Sequence, residues 1–123
     1  MRLKLIVAGI AALVPAMASA QSMSAEAFFQ KAQALQRKGM MAMFSRDVKL
    51  LMKEAKAAGE TARAQRLATI KAGGKPRYCP PKGAQRMGSD EFMQRLGAMP
   101  RADRIKIDMT EAMIRLQVAK FPC

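Results

Sequence analysis

CPPKGAQRMGSDEFMQRLGAMPRADRIKIDMTEAMIRLQVAKFPC, residues 79–123, is the stretch whose reading decides the fold. It begins and ends on Cys79 and Cys123, the only two cysteines of the chain. Pro80 and Pro81 follow the first cysteine and Phe121-Pro122 precede the second. Two amphipathic segments lie between, split by Met99-Pro100. Proline disfavours helix at the residue before it, so Cys79 is expected in an extended segment. Ser89 is expected to cap a short helix over 90–97, with Phe92, Met93 and Leu96 on its apolar face. Pro100 suits the first turn of a new element. Asp108 and Glu111 form a D-x-x-E pair resembling a capping box. The helix after it is expected to turn Met109, Ala112, Met113, Leu116 and Ala119 inward and to end before Pro122.

Upstream, residues 1–20 read as an export signal. Arg2 and Lys4 form a basic start, residues 5–14 are apolar, and Ala18-Ser19-Ala20 is an A-x-A cleavage site. The apolar run is too short to cross a ~30 Å hydrocarbon layer as a helix. Residue 21 is Gln, so lipidation of the mature N-terminus is not expected. The expected location is the periplasm, with residues 21–123 as one helical domain. It divides into N-terminal helices over 24–74 and a Cys-closed half over 75–123. In an oxidising compartment the two cysteines are expected to form one disulfide. A free-thiol redox pair is the alternative, but it lacks a C-x-x-C. Closing the 45 residues from Cys79 to Cys123 stabilises by roughly 4 kcal/mol in the chain-entropy account.

The N-terminal half reads as two helices. Ser24 is a cap for the first, with Glu26 in its opening turn. Met23 and Phe28 are placed to form a hydrophobic staple across that cap. Phe28, Ala32 and Leu35 recur at helical spacing, and Gly39 stops the helix after Lys38. Met40-Met41-Ala42-Met43-Phe44 then links to a helix capped by Ser45. Val48, Leu51, Met52, Ala55 and Ala62 mark its expected inner face, and Gly73-Gly74 ends it. Gly59 leaves open one long helix, at a cost of about 1 kcal/mol, or two helices with a break. Residues 75–88 hold three prolines and two glycines and read as a loop. Nothing alternates as a strand does. The expected fold is all-α, four or five helices with one disulfide tying the Pro-rich loop to the end of the sequence.

The formal charge of the whole chain is +13, and removing Arg2 and Lys4 leaves +11. For an exported protein this points to anionic lipid, cell-wall polymer or an acidic protein, with a merely solvating surface as the plain alternative. No arginine–aromatic alternation suits nucleic acid. The chain has no histidine, so histidine-based triads and zinc sites are excluded. No cofactor motif or carboxylate cluster suggests an enzyme. Ten of the twelve methionines fall after residue 20. Met40, Met41 and Met43 are close enough for Cu(I), which thioethers favour. The competing reading is that methionine fills a core or makes a pliable binding face. Lys49, Lys53 and Lys56 fall at i, i+4 and i+7 on one helix face, and Arg63 continues the stripe. With Met40, Met41, Met43 and Phe44 beside them, they form a candidate partner surface for an acidic cleft. A homodimer is a further open reading of the partner.

Tyr78-Cys79-Pro80-Pro81, Ser89-Asp90-Glu91-Phe92, Leu96, Pro100, Ala112 and Phe121-Pro122-Cys123 together resemble the C-terminal half of the Rap/Tai family. That resemblance implies a small exported all-helical immunity protein. It would be a non-catalytic inhibitor of peptidoglycan amidases delivered by type VI secretion. The likeness covers 78–123. The family's Gly- and aromatic-rich N-terminal helix, with its further cysteine, has no counterpart in 21–74.

Overall fold

The structure, a computed structural model, describes residues 23–123. The expected export signal lies outside them. Among the described residues five α-helices appear in order: α1 Ala25–Lys38, α2 Arg46–Lys71, α3 Ser89–Ala98, α4 Arg101–Lys106 and α5 Met109–Lys120. A 3₁₀ turn, Gly39–Phe44, stands between α1 and α2 where the sequence suggested a plain linker. Among the described residues no strand forms beyond one isolated bridge between Ser24 and Asp108.

Local chemistry sets most helix ends. The Ser24 hydroxyl accepts from the Ala27 N–H at 3.1 Å, and the Ser45 hydroxyl from the Asp47 N–H at 3.2 Å. The Asp108 carboxylate accepts from the Glu111 N–H at 2.8 Å. Each satisfies a donor that the first helical turn leaves without a partner. Gly39 ends α1 at φ +59, a conformation that side chains rarely adopt. One cap falls elsewhere than expected. Phe92 N–H already bonds to the Gly88 carbonyl, so Gly88 is the cap of α3 and Ser89 lies inside its first turn. α2 is one unbroken helix of 26 residues, with Gly59 inside it.

The main core gathers Phe28 and Ala32 of α1, Leu51 and Ala58 of α2, Leu96 of α3, and Met109, Ala112 and Leu116 of α5. Phe28 and Phe92 meet edge to face, with centroids 5.7 Å apart. Met23 packs against the same cluster as Phe28, which fits a staple across the cap. At Gly97 a Cβ would come within 3.2 Å of the Phe29 ring, so α1 and α3 approach through the missing side chain. A second cluster, Ala62 of α2, Tyr78 of the loop between α2 and α3, and Ile114 of α5, packs that loop onto the two helices. The helical faces are close to those expected, with four differences, at Met52, Ala58, Ile114 and Ala119. Met52 and Ala119 face solvent instead of the core, and Ile114 is buried. α2 presents Ala58 inward, one turn before Ala62, and α5 turns Ile114 toward Tyr78.

Cys79 and Cys123 are joined by a disulfide, with their Cα atoms 4.8 Å apart. The Cys79 N–H also bonds to the Phe121 carbonyl at 2.8 Å. Arg66 of α2 donates from Nε to the Tyr78 carbonyl at 3.0 Å, so the loop is fixed on both flanks.

The start of α1 is clamped to the α4–α5 joint. Ala25 N–H bonds to the Ile107 carbonyl at 2.9 Å, and Met109 N–H to the Met23 carbonyl at 3.1 Å. Arg104 of α4, buried, donates from Nε to Glu26 Oε2 at 2.7 Å. Its Nη1 also reaches the carbonyls of Leu96, Gly97 and Met99, which end α3. The guanidinium lies 4.3 Å from the Phe29 ring centre. One side chain thus caps α3, neutralises Glu26 and covers an aromatic ring.

Candidate functional site

The 3₁₀ corner is built by its own period. At three residues per turn, side chains at i and i+3 eclipse. Gly39-Met40-Met41-Ala42-Met43-Phe44 therefore has three edges: Gly39 with Ala42, Met40 with Met43, and Met41 with Phe44. On the first edge Ala42 is buried against the protein, while Gly39 is exposed. The other two edges face solvent. Met40, Met41, Met43 and Phe44 are 82%, 72%, 73% and 87% exposed. The backbone is held at both ends, by Gly39 N–H on the Gln36 carbonyl and by Ser45 N–H on the Ala42 carbonyl. Met40, Met41 and Met43 do not fill a core, which leaves the pliable-face and thioether readings of their role.

The corner leads directly into α2. Lys49, Lys53 and Lys56 are all exposed, as is Arg63. At 1.5 Å per residue the three lysines extend roughly 10 Å along the helix. Leu50 and Met52, exposed on the same opening turns, add apolar surface next to the lysines. The charges there are loosely held. Lys56 lies 3.9 Å from Glu60, and Lys31 of α1 lies 3.9 Å from Asp47, both as exposed pairs. Among the described residues no ion pair holds Lys49 or Lys53.

Every large apolar side chain kept in water forgoes about 1.5–3 kcal/mol of burial. Four on one short turn make a concentrated apolar patch, the kind that marks an interaction site. Its chemistry is soft and adaptable, because methionine is unbranched and polarisable. Positive charge beside it speeds and orients encounter with an acidic partner.

Several other cationic residues are placed differently. Arg77 grips Glu111 with two hydrogen bonds of 2.7 and 2.8 Å, and Arg115 adds a third at 3.0 Å. The Arg77 guanidinium, then that of Arg115, holds the Glu111 carboxyl down to about 2 against an ordinary 4.5. Hydrogen bonding from Lys120 lowers Glu91 in the same way, and Arg104 lowers Glu26. Burial raises the Tyr78 hydroxyl. These carboxylates serve ion pairs between elements, and the disulfide serves the loop.

Among the described residues no group of His, Cys, Asp and Glu is placed to hold a metal, and no helix is long and apolar enough to cross a membrane. No protein-family model, curated protein or solved structure matches the chain.

The expected partner surface is thus contiguous along the chain, from Met40 through Lys56, and wholly solvent-facing in its named residues. Leu50 and Met52 belong with it and were not expected there. Their signal was present: Leu50, Leu51 and Met52 are consecutive apolar residues, and one helical face cannot bury all three.

Proposed function

We propose that this chain is an exported, non-catalytic binding protein that inserts the Met40–Phe44 corner into an acid-rimmed, apolar-floored cleft of a secreted enzyme. The supporting observation is four exposed apolar side chains on one turn, backed by the buried Ala42 and flanked by Lys49, Lys53 and Lys56. Full burial of those four would contribute roughly 6–12 kcal/mol before the costs of association. The resemblance of residues 78–123 to the Rap/Tai family names the enzyme class, a peptidoglycan amidase. The protein acts by occlusion, and the Cys-closed half holds the scaffold rigid.

A second reading is association with an anionic envelope surface. It is favoured by Leu50 and Met52, which extend the apolar surface along α2 in line with the lysines. Exposed side chains of this kind seat in a headgroup layer while lysines meet lipid phosphates.

The test is titration of the folded, oxidised protein into a purified peptidoglycan amidase of the type VI-delivered class. Stoichiometric loss of amidase activity is expected, relieved in Met41→Ser and Phe44→Ser. Full activity at saturating protein sinks the enzyme-directed reading. Salt-sensitive sedimentation with phosphatidylglycerol vesicles, and not with neutral ones, would then establish the second.

A further inference from the structure

A hollow of about 250 Å³ opens between α3 and α5 and shares no residue with the methionine corner. Its floor is apolar, made by Ala98, Met99, Leu116 and Ala119. Arg95 and Arg115 stand at its sides. Both arginines are paired with carboxylates that have a better partner. Arg95 Nε lies 3.6 Å from Glu91 Oε1, beyond hydrogen-bond reach. Glu91 is instead held by Lys120, which contacts both carboxylate oxygens. Glu111 is gripped in bidentate fashion by Arg77, and Arg115 reaches it through Nε alone. Two carboxylates therefore face four cations, a surplus of two positive charges beside the hollow.

One nitrogen makes the imbalance concrete. Among the described residues, Arg95 Nε is a buried side-chain atom with no hydrogen-bond partner. That nitrogen is closed to solvent, so the donors left open to an acceptor from outside are the other N–H groups of the part-exposed guanidinium. A guanidinium has five N–H donors in a planar fork, the geometry that matches a carboxylate. Inorganic phosphate would meet the charge but leave the apolar floor bare.

We infer that this hollow binds a carboxylate carried on a small apolar body, the C-terminal end of a short peptide with alanine-sized side chains. Arg95 and Arg115 hold the carboxylate, and the side chains rest on Ala98, Met99, Leu116 and Ala119. The site is independent of the proposed enzyme docking.

The probe is N-acetyl-Ala-Ala, titrated into the ¹⁵N-labelled, oxidised protein and followed by NMR. Saturable shifts of the Arg95 and Arg115 Nε–H signals and of the Ala98, Met99 and Ala119 amides are expected, with a Kd of ~1 mM for a ligand of this size. The C-terminal amide of the same peptide should bind at least about tenfold more weakly, since it lacks the charge. Arg95→Gln should weaken the acid by a similar factor. Ala119→Met, which fills the hollow and leaves every charge in place, should abolish the shifts while thermal stability holds. Equal affinity for acid and amide, phosphate binding as tightly as the peptide, or undiminished shifts in Ala119→Met would each overturn the assignment.

Discussion

Met109 and Met40 are the same residue in opposite surroundings. Met109 has no exposed surface; it sits in the cluster with Phe28 and Leu96, and its N–H is bonded to Met23. Met40 is almost wholly solvated on a turn whose inward edge is a single alanine. Around Met109 the chain is fixed several times over. The Ser24 and Asp108 caps, the backbone bridge, the Arg104–Glu26 pair and packing from three helices act on a few residues. Around Met40 the turn is held by its own backbone bonds, those at its two ends and the buried Ala42. Composition is alike in the two regions, but only one of them stabilises the fold. An apolar residue that the fold does not use remains available to a partner.

The strongest way to break that contrast is at Arg104. Arg104→Ala leaves Glu26 with Arg101, 3.4 Å away and largely exposed, and with Gln30, and frees the carbonyls at the end of α3. Removing one partner of a buried ion pair costs about 3–5 kcal/mol, so urea unfolding should show a loss of that size. A loss under about 1 kcal/mol would mean that this region is no more fixed than the corner.

Next is the disulfide. Cys123→Ser should cost about 2–5 kcal/mol in thermal or denaturant unfolding, and reduction of the wild type should do the same. If helices α1 and α2 melted independently of α5 in the reduced protein, the staple would be shown to couple the two halves.

The Glu111 pair sharpens the contrast through pH. Its folded pKa is depressed to about 2 by Arg77 and Arg115, from an ordinary 4.5. The stability it contributes is therefore complete above about 4.5 and is lost as pH falls toward about 2. Glu111→Gln should lower neutral-pH stability by about 1 kcal/mol and flatten the acid limb of a melting-temperature profile. An unchanged acid limb would assign it to other carboxylates.

The smallest stability effect belongs to the corner. Met41→Ser should change unfolding free energy by no more than about 0.5 kcal/mol, as surface substitutions do. Paired with the loss of partner binding, that result separates the two regions. A cooperative loss of stability would mean that the corner is part of the core.

Much of the fold was legible. The bounds of α1 and α2 follow from Ser24, Gly39 and Ser45, whose capping chemistry acts within a turn. The exposed corner was legible only as a choice between core and surface. Six residues with four large apolar ones fit either until the three-residue period sets Ala42 against the protein. Arg104 was not legible. It reads as one of many surface cations, and its partner Glu26 lies 78 residues away. Met52 and Ala119 read as inward because a periodic face taken from sequence has no sharp edge. A helix buries only what its neighbours cover.

The sequence by itself determined the helical class, the stop at Gly39, the capped starts at Ser24, Ser45 and Asp108, and the pairing of Cys79 with Cys123. Each depends on groups a few residues apart, or on there being only two cysteines to join. Only the tertiary structure decided that Arg104 and Glu26 are buried together, that Met109 is sealed while Met40 is bare, and that Arg95 and Arg115 flank one apolar hollow. Those outcomes depend on which helices cover one another, and long-range contact is where burial and charge pairing are set.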